Sequence, residues 1–211
     1  MAERFHVYTP ERRGHGRTPD VEGPITLEAM AQDTVAFLER VVGGPAHLVG
    51  CSDGATVALP VALRRPDLAR RVEFVAGVFH HHGWAPGVIE PQPAPPEFLA
   101  RLYAEISPDG PDHYPVLVAK LAQMHAGEPS LTPADLHQVP ARTLVMVADD
   151  DEVTLEHAIA LYRGLPDGEL MVVPETSHGL LAEKPLVCNT AIVEFLATEP
   201  VATLAPIRRR P

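Results

Sequence analysis

The sequence predicts an α/β fold, a mostly parallel sheet flanked by helices. Three observations carry this. Short continuous apolar runs such as Thr143-Leu144-Val145-Met146-Val147-Ala148 read as strands buried on both faces. Stretches with apolar residues at helical spacing alternate with them, as crossover connections between parallel strands require. One apolar run, Ala46-His47-Leu48-Val49, passes straight into a glycine-punctuated turn and then a helix.

Taken in order, Phe5–Tyr8 reads as a short strand. Thr26–Val42 reads as a helix, with Leu27, Met30, Ala31, Thr34, Val35, Leu38 and Val41 on one side and Gly43-Gly44 as its stop. After the strand at Ala46–Val49, a helix runs from Asp53 to about Arg65, although Pro60 inside it removes a backbone hydrogen bond at a cost of roughly 3 kcal/mol. Val72–Phe79 is the next strand. Some sixty residues of different character follow. Pro86, Pro91, Pro93, Pro95 and Pro96 mark an extended linker, Glu97–Ile106 and Asp112–His125 two helices, and Thr132-Pro133-Ala134-Asp135 the start of a short one. The strand at Thr143–Ala148, a helix at Thr154–Tyr162, a strand at Glu169–Val173 and a helix at Leu186–Leu196 complete the alternation.

The chemistry concentrates at three points. Gly50-Cys51-Ser52-Asp53-Gly54 has the Gly-x-Ser-x-Gly spacing of a nucleophile elbow, a strand-to-helix turn tight enough to want small residues on both sides of the serine. Such a turn lifts the hydroxyl above the sheet and sets the Asp53 N–H beside it as an oxyanion donor. A serine needs a base, and the base an orienting acid. The strand ending at Ala148 runs into Asp149-Asp150-Asp151-Glu152, and the next strand into Pro174-Glu175-Thr176-Ser177-His178-Gly179. The chain order Ser…Asp…His, with acid and base each just past a strand, suits that elbow. Cys51 is a weaker candidate nucleophile, since its side chain should point away from the pocket.

Four blocks together resemble the α/β-hydrolase family, specifically its small ester, lactone and carbon–carbon bond hydrolases. They are Val7-Tyr8-Thr9-Pro10-Glu11-Arg12-Arg13-Gly14-His15-Gly16-Arg17, the elbow, Leu144 to Asp151, and Thr176-Ser177-His178-Gly179. The resemblance implies Ser52 as nucleophile, His178 as base and Asp151 as acid, three positions after the small residue Ala148, with Asp150 the other eligible carboxylate. It implies no cofactor and no metal. It divides the chain into 1–80 and 141–200 as two parts of a hydrolase core, 81–140 as a helical cap and 201–211 as a flexible tail. Trp84, Phe98, Leu102, Tyr103 and Tyr114 are the candidate substrate-binding residues; the same side chains, with Leu117 and Met124, would also serve to fix a cap to the body. The family normally has three strands and a helix before the segment at Phe5. The N-terminal strands and their oxyanion loop therefore have no counterpart here, leaving Asp53 N–H as the assignable donor. The expected reaction is hydrolysis of a small ester or lactone through an acyl-enzyme. The alternatives are carbon–carbon hydrolase, haloperoxidase-like or acyltransferase chemistry, or an inactive or binding-only remnant.

Composition agrees. A chain of 211 residues, 45% hydrophobic, can bury one substantial core. A net charge of −11 argues against nucleic acid or an anionic membrane as partner, leaving a small-molecule substrate. Two cysteines, Cys51 and Cys188, make no disulfide framework, and the N-terminus has no apolar signal core, so a soluble cytoplasmic protein is expected. A sheet lacking strands beside Ala46–Val49 would expose an edge and favour a homo-oligomer. Three other features are set aside. His80-His81-His82, read as an extended segment, would point its rings different ways and could not hold one ion. Gly14-His15-Gly16-Arg17 lacks the lysine and further glycine of a phosphate loop. Arg208, Arg209 and Arg210 read as a solvated end.

Overall fold

The computed structural model describes residues 1–90 and 97–207. Among these, four parallel strands form one sheet in the order of the chain: β1 (Ala46–Cys51), β2 (Ala69–Val75), β3 (Arg142–Asp150) and β4 (Gly168–Ser177). All three pairings are parallel, so each connection crosses over a face of the sheet.

Two apolar layers sandwich it. On one face Leu48, Val72, Phe74, Val145 and Val147 pack against α1 (Leu27–Phe37) and α2 (Asp53–Arg64), and against α6 (Leu155–Gly164) through Ala158 and Leu161. On the other, Val75, Leu144, Met146 and Val173 meet Leu180 of α7 (Leu180–Glu183) and Cys188, Ile192 and Phe195 of α8 (Pro185–Ala197). Thr26 caps α1 by accepting from Ala29 N at 3.1 Å, and a π-helical turn, Leu38–Val42, carries it to Gly43 in the left-handed conformation. Helix α2 continues through Pro60, held by burial of Val57, Ala58, Leu59 and Val61 around that position.

Between β2 and β3 lie α3 (Glu97–Ile106), α4 (Tyr114–Gly127) and α5 (Pro133–Leu136), the last opened by a capping box between Thr132 and Asp135. Residues Pro91, Pro93, Pro95 and Pro96 of the expected linker, and Arg208–Arg210 of the tail, lie outside the described residues. The N-terminal segment is tied to α4: Asp20 accepts from His113 Nε2 at 2.8 Å and from Lys120 Nζ at 2.6 Å, and Leu27 N donates to Glu128.

Three expectations are corrected. Phe5–Tyr8 is not a strand. Phe5 reaches the sheet by its side chain, edge-on to His47 at 6.0 Å, and Tyr8 packs on Phe37. Consequently β1 has a backbone partner on one side only among the described residues. The strand expected to reach Phe79 stops at Val75, because Ala76 turns to φ +49°. Finally, His81–Gly83 is a 3₁₀ turn, not extended chain.

Candidate active site

Ser52 joins β1 to α2 with φ +55° and ψ −123°, a conformation that costs a non-glycine residue energy and is held by its surroundings. Ser52 N donates to Val75 O at 2.8 Å, fastening the turn to β2. Thr56, buried one helical turn on, donates to Ser52 O and accepts from Val78 N, both at 3.3 Å. The two glycines of the motif differ in role. A Cβ on Gly50 would collide with the Gly54 carbonyl, whereas a Cβ on Gly54 would meet nothing within 4 Å. Only Gly50 is demanded by the turn.

Strands β3 and β4 deliver the other two side chains beside it. His178 Nε2 lies 3.0 Å from Ser52 Oγ, and His178 Nδ1 lies 2.8 Å from Asp151 Oδ1. An ionised carboxylate only accepts, so Nδ1 carries the proton and Nε2 is left to accept from the serine. The Asp151 side chain is fully buried and also accepts from the N–H groups of Ala148 at 2.9 Å and Val153 at 3.2 Å. Burial works against its charge, but the His178 and backbone hydrogen bonds outweigh it and hold the carboxyl below its ordinary range. The neighbouring aspartates are occupied otherwise: Asp149 accepts from Thr176 N at 3.1 Å, and Asp150, exposed, pairs with Ser177 in the ladder. For His178, burial opposes protonation, yet the Asp151 hydrogen bond and the charges of Glu152, Asp151 and Asp53 raise its pKa.

The surroundings were less legible. Trp84 stands with its ring 6.4 Å from His178 and 5.7 Å from His125. His125, from α4, reaches Asp53 Oδ1 at 2.8 Å and so ties that helix to the residue after Ser52. Glu152 lies 3.7 Å from His178 Nε2. His125 and Thr56 carry no sequence signal, since their partners are distant in the chain; Glu152 was visible only as the end of an acidic run. Tyr103 and Tyr114 pack with their rings tilted at 5.1 Å, with Tyr103 in the core. Phe98 and Leu102 are 59% and 52% exposed, because α3 packs inward through Tyr103. Cys51 lies against the α8-side layer, its thiol pKa pushed up by burial and by Asp151, which makes it a poor thiolate.

The profile described as "Alpha/beta hydrolase family" matches residues 1–191. A Caulobacter segnis protein named "Putative carbamate hydrolase RutD" is 26% identical over 93% of this chain and 83% of its own length. Among solved structures, a thermophilic esterase superposes with a TM-score of 0.68 at 25% identity, covering 87% of this chain and 77% of the other. A variant of the meta-cleavage product hydrolase CumD gives 0.69 at 20% identity over 87% and 77%, a likeness of fold.

Proposed function

The chain belongs to the alpha/beta hydrolase family, and on that premise we propose that it is a serine hydrolase of small, uncharged carboxylic esters or lactones. The observation that carries this reading is the continuous relay from Ser52 Oγ through the His178 ring to the buried Asp151, 3.0 and 2.8 Å long. Ser52 Oγ attacks the substrate carbonyl as its proton passes to His178 Nε2. Asp151 holds the Nδ1–H tautomer and stabilises the imidazolium that results. The Asp53 N–H, at the start of α2 where helix amides have no partner within the helix, faces the charge developing on the carbonyl oxygen. His178 then returns the proton to the leaving alkoxide. A water deprotonated by the same nitrogen cleaves the acyl-enzyme and frees Ser52. No step calls on a cofactor.

Charge around the base supports an uncharged substrate. Glu152 stands 3.7 Å from His178 Nε2, so an anion entering there meets a carboxylate. The helices between β2 and β3 act as the cap in this reading, with Trp84 as the aromatic contact nearest His178.

A fluorophosphonate probe tests the proposal. Covalent labelling of the wild-type chain, absent from Ser52→Ala, is expected; a folded protein that takes no label would favour a binding-only remnant. A second reading, carbamate hydrolysis, follows from the Caulobacter relative's name and uses the same residues. Turnover of matched p-nitrophenyl acetate and N-alkyl carbamate substrates separates the two.

A further inference from the structure

The three consecutive histidines after β2 belong to no step of that chemistry, yet they are built together. The chain reaches them through Ala76 and Gly77, then closes a 3₁₀ turn at His81–Gly83. This turn defeats the divergence that an extended segment would impose. One ring nitrogen from each of His80, His81 and His82 lies within 4.8 Å of the other two. Ring centroids stand 4.2 to 4.5 Å apart.

The turn is anchored. His81 N donates to Pro129 O at 2.7 Å, and His80 forms an antiparallel bridge with Ser130. Gly83 lies on the ring of His157, which would collide with any Cβ there. The side chain of His81 adds a second bond to the same carbonyl, Nδ1 to Pro129 O at 3.1 Å, so Nδ1 carries the proton and the Nε2 lone pair is free. A ring held by its other N–H on a backbone carbonyl is the arrangement that orients metal-ligating histidines. His80 Nδ1 carries its lone pair toward His82 N at 3.2 Å, a contact that a bound ion would displace.

None of the three forms an ion pair with a carboxylate among the described residues. No carboxylate therefore has to be displaced from these rings before an ion can enter.

We propose that His80, His81 and His82 form a binding site for one divalent transition-metal ion that favours imidazole, such as zinc or nickel. Three nitrogens at 2.0–2.1 Å from a tetrahedral zinc stand about 3.4 Å from one another, so side-chain rotations of about 1 Å complete the set. His82, exposed at the outer side, opens the path of entry, and solvent supplies the remaining ligand. The ion would cross-link a turn that leads within two residues to Trp84, beside His178.

The test uses tag-free protein. Trp84 is the chain's one tryptophan, so its emission reports this turn directly. Calorimetric titration with zinc chloride should give one saturable equivalent with a Kd in the micromolar range, about −8 kcal/mol. Nickel should quench Trp84 over the same concentration range. His82→Ala, at an exposed position, should weaken both at least tenfold, while His137→Ala, an exposed histidine elsewhere, should leave them unchanged. Binding that fails to saturate below about 1 mM, or that is indifferent to His82→Ala, overturns the proposal.

Discussion

Glutamine in place of Glu73 is expected to stabilise the protein, by an amount that grows with pH. Glu73 sits in β2 between Val49 of β1 and Leu144 of β3. It is 0% exposed, and neither carboxyl oxygen has a hydrogen-bond partner. Burial, with the nearby charge of Glu169 adding to it, pushes its pKa from 4.5 up to about 9. The folded protein therefore keeps a proton that the unfolded chain gives up above 4.5. Between those two values the unfolded state binds fewer protons, so stability falls as pH rises, by about 1.36 kcal/mol per pH unit. From 4.5 to pH 7 the loss comes to about 3 kcal/mol, and at pH 8.5 to about 5 kcal/mol. Glu73→Gln keeps the shape and an unpaired buried polar end but abolishes the titration. At pH 5 the two proteins should differ by less than about 1 kcal/mol. At pH 7 the variant should melt about 6–12 °C higher, given 2–4 °C per kcal/mol for a chain of this size. Thermal unfolding of both proteins at pH 5, 6, 7 and 8.5, followed by circular dichroism, measures this. Subtracting the two curves removes His178 and every other shared titration. Parallel curves, or a wild-type protein more stable at pH 8.5, would refute the reasoning.

Three further outcomes are expected. Asp151→Asn should lower kcat for an activated ester by about 10⁴, through loss of the Nδ1–H tautomer, whereas Asp150→Asn should leave it within about twofold; equal losses would show the acid is misassigned. Hydrolysis should rise with pH as His178 loses its proton, with a midpoint above the ordinary histidine value of 6.5, because Asp151 and Glu152 hold the proton on; a midpoint below 6.5 in the kcat/KM profile contradicts that electrostatic account. The unpaired side of β1 should make the isolated chain self-associate, seen as a concentration-dependent mass in light scattering; a monodisperse monomer across that range shows that Phe5 and its neighbours blunt the edge sufficiently.

What the sequence made legible was local. The strand at Thr143–Ala148 announces itself by an unbroken apolar run, Ser52 by its glycine-flanked motif and His178 by its loop after a strand, while the choice of Asp151 over Asp150 rests on the family resemblance. What stayed hidden depended on contacts between distant segments. Phe5–Tyr8 has the composition of a strand, but a strand needs a ladder partner, and composition does not name one. The strand's end at Val75, and with it the non-extended path to the turn at His81–Gly83, goes with a positive φ at Ala76, a residue that rarely adopts it. His125 meets Asp53 only because α4 returns to the start of α2, 72 residues earlier in the chain. The equal weight given to Gly50 and Gly54 shows the same limit: the motif records both, but only the three-dimensional turn separates steric need from permission.

The relay also depends on strand register. Ser52 directly follows β1, Asp151 follows β3 and His178 follows β4, and β2, lying between β1 and β3, sets the spacing of those two. A slip of one residue between β3 and β4 would carry His178 about 3.3 Å along the strand and turn its side chain to the opposite face. Partly assembled chains thus have no graded activity to offer. During refolding, turnover should appear in a single late phase with the last strand pairing, after helical signal has been regained, so that catalysis itself becomes a reporter of when the sheet locks.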